Sequence, residues 1–192
     1  MRATIGPVER ATLVDNWDVL GLRATGSIDY TTDNVFVPEA YTHMATTDEP
    51  LRGGNLYRIG IIGFAAICHS GWACGIGRRV LDELIAVVAE KAGRPGTLAD
   101  SASFQEGLAN AEATVRSARA FVFETWTDAT ATLARGDKLS VRQNTLIRLA
   151  LAHSTWSAHE AVASQGANAQ QYIGAFKADY FFWYNSPPPS RA

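Results

Sequence analysis

The spacing of hydrophobic positions changes near residue 55. Before it, apolar and β-branched residues come in short runs. Ala11-Thr12-Leu13-Val14 is one, and Ile28 through Val37 is the other, with Asp33-Asn34 placed as a turn or bulge. Gly6-Pro7 punctuates the approach, Gly21, Gly26 and Ser27 form a loop between the runs, and Pro38 stops the second. Two or three strands cannot close a sheet around a core. The pattern therefore predicts the last strands of a truncated β domain over residues 1–50.

From Leu56 onward the period is helical. A first helix is expected from about Leu56 to Ala89, apolar almost all round in its first half and ended near Gly93-Arg94-Pro95-Gly96. A second begins at a capping box, Ser103 with Glu106. Its stripe is Phe104, Leu108, Ala111, Val115, Ala118, Val122, Trp126, Ala129 and Leu133, and Gly136 is placed to end it. A third starts at Ser140, with Gln143 completing its box. It carries Leu146, Leu149, Ala152 or His153, Trp156 and Ala163 before Gly166. Long helices with short connections predict a mainly α antiparallel bundle over 51–166. A divergent tail, 167–192, follows, with an aromatic cluster (Tyr180 to Tyr184) and Pro187-Pro188-Pro189. Trp72, Phe121, Trp126 and Trp156 are expected in the bundle core.

One stretch tests the soluble reading. Ile59 to Gly77 carries no formal charge over about nineteen residues, near the length of a membrane span. Its five glycines, with His69 and Ser70, make that span weakly apolar, so a buried bundle helix is preferred and no membrane partner is expected. Gly71 and Gly75 have the spacing that permits close helix packing.

Composition narrows the classes further. The 192 residues are 47% hydrophobic and 19% charged, which is globular, and a net charge of −2 argues against nucleic acid as principal partner. Cys68 and Cys74 point about 240° apart on a helix and can neither pair nor share a metal. No apolar leader follows Met1, so a reducing cytoplasm is expected.

Local motif searches assemble no catalytic set. His159-Glu160 opens like a zinc-protease helix, but residue 163 is alanine. His153 and His159 diverge, His43 is expected to be exposed, and His69 is expected to be a satisfied core histidine. Gly75-Ile76-Gly77 follows no strand, so it is no dinucleotide fingerprint.

A longer pattern is more specific. Asn16-Trp17-Asp18-Val19-Leu20-Gly21-Leu22-Arg23-Ala24-Thr25-Gly26-Ser27, followed after a strand by Asn34-Val35-Phe36-Val37-Pro38-Glu39, resembles the β-domain signature of the acyl-CoA dehydrogenase superfamily. Leu56-Tyr57-Arg58, the helix through Ala73-Cys74-Gly75-Ile76-Gly77-Arg78, and Ser103-Phe104-Gln105 are similar to that superfamily's second type of C-terminal helical domain. The resemblance covers roughly Thr12 to Ala161.

The resemblance implies an oxidoreductase part. It implies a helical bundle that self-associates as a dimer or tetramer, with flavin, FMN or FAD, between the β domain and the bundle. This type of helical domain is typical of monooxygenases (hydroxylases) that take reduced flavin from a partner flavin reductase and attack aromatic or polycyclic substrates. The alternatives are an acyl-CoA dehydrogenase using FAD and a non-enzymatic oligomerisation module. Tyr57 stands near where the dehydrogenase branch carries a glutamate base, which tilts the reading toward the hydroxylases. The family's Arg-rich segment before its last helix is absent, Lys177-Ala178-Asp179 being the nearest imitation. The implied flavin contacts are Trp17, Gly26, Ser27, Arg94 and Gln105, while Arg78 and Arg79 read as solvated surface charges. No catalytic residue is assigned, and the chain alone is expected to be inactive.

Overall fold

The computed structural model describes residues 2–19, 23–94 and 96–172. Leu20-Gly21-Leu22, Pro95 and the tail from 173 lie outside the described residues, as do the tail's aromatic cluster and prolines. Two units divide at Thr46–Thr47.

The first unit is β structure without a core. Strand β1 (Arg2–Thr4) pairs antiparallel with β4 (Thr42–Met44), and β2 (Ala11–Val14) pairs antiparallel with β3 (Asp29–Thr32). The run from Ile28 to Val37 breaks at Asp33-Asn34, where a turn or bulge is expected. Asn34 takes a left-handed φ of 47°, so the ladder ends at Thr32. None of this unit's described residues is buried, and Ile5, Val8, Leu13, Tyr30, Phe36 and Tyr41 are more than half exposed.

The second unit is a helical bundle. Helix α1 spans Gly60–Glu90, α2 Ala102–Ala134 and α3 Val141–Tyr172. A short 3-10 segment, Asn55–Ile59, precedes α1 in place of the helical start expected at Leu56. The inner face of α1 is Ala66, Ser70, Ala73, Gly77, Leu81 and Leu84. These residues are small along its first half, which lets the neighbouring backbones come close. A Cβ added at Gly77 would stand 3.2 Å from Val115 Cγ2 and 3.5 Å from Ala158.

Helix α2 buries the expected stripe. Phe104, Ala111, Val115, Ala118, Val122, Trp126, Ala129 and Leu133 are all buried, and Leu108 packs beside them. Its N-cap is Ser101 rather than Ser103: the Phe104 N–H donates to Ser101 Oγ at 3.4 Å. The box at α3 is complete, with Gln143 N–H donating to Ser140 Oγ (3.2 Å) and Ser140 N–H to Gln143 Oε1 (3.0 Å).

Helix α3 corrects its sequence reading. The buried residues are Gln143, Ile147, Ala150, Ser154, Ser157, Ala158 and Ala161. Leu149 and Trp156 are 52% and 65% exposed, and Ala152 and His153 lie on the same outer side. The helix also runs on through Gly166 to Tyr172. Of the four aromatics expected in the core, Trp126 is buried and Phe121 half-buried, while Trp72 and Trp156 are exposed.

The connection into α1 is tied to the α2–α3 turn. Arg58 donates through Nη1 to Leu133 O (3.1 Å) and through Nη2 to Gly136 O (2.8 Å), placing a cation on the carbonyl end of α2. Lys138 pairs with Asp48 at 3.1 Å and Glu49 at 3.4 Å, which holds Asp48 below the usual carboxylate range.

Candidate functional site

The signature loop of the first unit is closed by a side-chain clamp. Asn16 Nδ2 donates to Asp29 Oδ2 at 2.7 Å, and the Asp29 N–H donates to Asn16 Oδ1 at 3.0 Å. The clamp ties the exit of β2 to the start of β3. Trp17, in the loop between them, is half-buried. Gly26 sits at φ +58° with open space where a Cβ would stand, and its carbonyl accepts from the Ile28 N–H at 2.8 Å. Ser27 is exposed between them. An open backbone and a hydroxyl at a turn are suited to meeting a polar ligand edge.

In the bundle, Arg94 occupies the connection after α1 and Gln105 the first turn of α2. Arg94 is exposed and makes no ion pair among the described residues, so its guanidinium is available to an anion. Gln105 is less free, because its Nε2 donates to Ala99 O at 2.6 Å, leaving Oε1 as an acceptor. Flavin phosphate therefore fits Arg94, and an N–H of a flavin ring fits Gln105 as acceptor only.

An open groove of about 620 Å³ between α1 and α2 is lined by Arg78, Asp82, Ile85, Gln105, Glu112 and Arg116. Arg78 is not the solvated charge expected of it. Its Nη2 meets Asp82 Oδ1 at 2.9 Å and its Nη1 meets Glu112 Oε2 at 2.5 Å, while its buried Nε has no partner among the described residues. Glu112 is shared with Arg116 at 2.6 Å, and the two guanidiniums, Arg116 first, hold its carboxyl below the ordinary glutamate value. Arg79 pairs with Glu83 at the surface.

His69 departs most from its expected place. It is exposed on α1, and its Nδ1 lies 2.8 Å from Ala65 O. His153 instead meets the edge of Phe121 (centroids 6.0 Å apart), and His159 that of Trp156 (5.9 Å). Both cysteines are free thiols, and burial raises the Cys74 pKa. No cluster of three metal-ligating side chains occurs among the described residues. Among those residues one helical stretch, Asn55–Glu90, is long and apolar enough to cross a membrane, and 28% of its most apolar window is buried.

The described residues thus comprise two antiparallel strand pairs followed along the chain by a mainly α bundle. The family model for the acyl-CoA dehydrogenase C-terminal domain matches residues 67–171, and the chain belongs to that family. It is 33% identical over 185 residues to an indole-3-acetate monooxygenase of Pseudomonas putida, covering 93% of this chain and 45% of that protein. Among solved structures it resembles XiaF from Streptomyces sp., determined with FADH2 and glycerol (TM-score 0.71, 19% identity, 88% of this chain, 46% of that one). It also resembles the 3-HSA hydroxylase from Rhodococcus sp. RHA1 (TM-score 0.73, 21% identity, 88% and 47%). The HsaA monooxygenase from M. tuberculosis is a further likeness (TM-score 0.72, 18% identity, 90% and 46%). The structural likenesses establish the fold. The chain spans about half the length of these relatives.

Proposed function

We propose that this chain supplies the bundle and the closing strands of a flavin-dependent monooxygenase that hydroxylates aromatic or polycyclic substrates. The reading is carried by the 33% identity, over nearly the whole chain, to a protein named as a monooxygenase of indole-3-acetate. It is supported by the absence of a carboxylate at Tyr57, whose exposed ring packs on the backbone of Gly53 near the start of α1. In this reading residues 1–50 belong to the β domain, 51–166 to the bundle and 167–192 to a divergent tail. Activity is cytoplasmic, the bundle self-associates as a dimer or tetramer, and a separate reductase delivers reduced FMN or FAD.

Bound flavin would supply the oxygen-activating chemistry. The chain's own residues bind and orient. Arg94 takes the phosphate charge, Gly26 and Ser27 meet a polar edge of the ring system, Gln105 accepts one hydrogen bond, and Trp17 provides an apolar flank. Such contacts contribute about 1–1.5 kcal/mol net each, too few for tight binding by this chain alone.

Calorimetric titration with FMN, FAD, their reduced forms and butyryl-CoA tests the reading. Reduced flavin is expected to bind at about 100 μM or weaker, with Arg94→Ala weakening it about tenfold. Butyryl-CoA binding tighter than any flavin would move the chain to the dehydrogenase alternative. A submicromolar constant for flavin would show the site to be more complete than proposed.

A further inference from the structure

The outer face of α1 carries one polar handle that the flavin contacts do not use. Between Arg58 and Arg78 the chain has no Asp, Glu, Lys or Arg. The inner side of this stretch is packed into the bundle through Ala66, Ser70, Ala73 and Gly77. Its outer side presents Ile62, 54% exposed, and Trp72, 41% exposed, with Ala65 and His69 between them. Residues 62, 65, 69 and 72 recur at spacings of three and four, so they form one stripe along the helix. Ala65 is the smallest member, and residues 62 and 72 stand about 15 Å apart at the helical rise, a length that a fused ring lying on the stripe would span.

His69 gives that stripe a direction. A carbonyl oxygen only accepts, so the 2.8 Å contact with Ala65 O places the proton on Nδ1. In the neutral imidazole, Nε2 is then an acceptor without a proton, on the exposed side of the ring. A face with no fixed charge, apolar walls and one acceptor complements a neutral flat ring that carries one donor.

We propose that His69 is a substrate-contact residue whose Nε2 accepts a hydrogen bond from the N–H or O–H of an aromatic ring lying on α1 between Ile62 and Trp72. The assignment rests on the monooxygenase reading for its substrate class, and it makes the ring donor a determinant of specificity. Gly71 and Gly75 lie about 120° or more around the helix from His69, so a second copy seated on the glycines leaves this stripe open.

The test is a pair of probes that differ by one donor. The full 192-residue chain is titrated with 4-methylphenol and with 4-methylanisole, following the histidine Cε1–H resonances. The His69 signal is assigned by its loss in His69→Ala, whose fold is verified by circular dichroism. 4-Methylphenol is expected to shift the His69 signal saturably and to bind about tenfold more tightly than 4-methylanisole, the worth of one hydrogen bond. His69→Ala removes that preference and His69→Gln, which keeps an acceptor, restores part of it. Equal affinities, shifts that bypass His69, or no shift because a second copy covers the stripe would each overturn the assignment. None of these outcomes depends on turnover. Failure of the flavin reading shows instead in the calorimetry with reduced flavin and butyryl-CoA.

Discussion

Helices α2 and α3 have nearly equal length and lie in the same bundle, yet they bury their large apolar residues to very different extents. Helix α2 turns them inward, with Phe104, Val115, Val122, Trp126 and Leu133 all buried. Helix α3 turns mostly small residues inward, with Ile147 the one large apolar side chain among them, and leaves Leu149 and Trp156 outside. The difference follows from what each helix faces. Beside Gly77, Val115 of α2 and Ala158 of α3 both come close and leave no room for a larger group on α3, whereas Trp126 of α2 packs in the main core with Ile147 and Ala150. A buried face is thus set by the room available, and size is a poorer guide to it than packing distance.

The sharpest break of this comparison is the same substitution on both helices. Trp126→Ala should cost about 3–5 kcal/mol, because it opens a large cavity in the core. Its indole Nε1 has no hydrogen-bond partner among the described residues, so Trp126→Phe should recover most of the loss. Urea denaturation of both variants measures the pair. A Trp126→Ala loss below 1 kcal/mol would mean that the core of α2 collapses around the gap.

These contrasts also mark how far the sequence could be read. The α2 stripe was legible because apolar side chains recur there at spacings of three and four, and all of them but the half-buried Leu108 are buried. The Ser140–Gln143 box was legible because cap chemistry is local. The α3 face was not, because alanine and serine carry little hydrophobic signal, and their burial follows from a partner helix remote in sequence. His69 stands exposed where a core position is expected, because an apolar window does not say which side of the helix is covered. At the candidate site, Gly26 and Arg94 stand in open positions, whereas the Gln105 amide is taken by Ala99 O through a contact no motif encodes.

The next effect in size sharpens the small-residue side. Ala150 is fully buried in α3, within the cluster that holds Val122, Trp126 and Ala129. Ala150→Leu should destabilise by about 1–3 kcal/mol through overpacking, against the usual ranking of leucine as a good core and helix residue. Thermal denaturation checks it. A rise in Tm would show that the helices can separate to admit the larger group.

A smaller effect tests the charged edge of α2. Glu112 is held below the ordinary glutamate value by Arg116 and Arg78, so the folded state binds its proton more weakly than the unfolded state does. Its contribution is then present at neutral pH and fades as pH falls below about 4.3 and through the depressed folded value. The side chains involved are partly solvated, so Glu112→Gln should cost under about 1 kcal/mol at pH 7. Urea midpoints of the two proteins should converge as the pH is lowered toward 3. A gap that persists there would assign the loss to packing instead of charge.

The smallest expected effect closes the pair opened at Trp126. Trp156 is 65% exposed, and its ring touches the edge of His159 one helical turn region away. Removing an exposed indole leaves no cavity, and alanine is the better helix former, so part of the lost ring contact is regained as propensity. Trp156→Ala should therefore lie within about 0.5 kcal/mol of the parent chain in urea denaturation at low protein concentration. The dilution matters because an exposed tryptophan can be covered when chains associate. A loss that grows with protein concentration would mean that the outer face of α3 is buried in the oligomer, and the contrast with α2 would then hold within one chain only. A loss above 2 kcal/mol at every dilution would remove the contrast altogether.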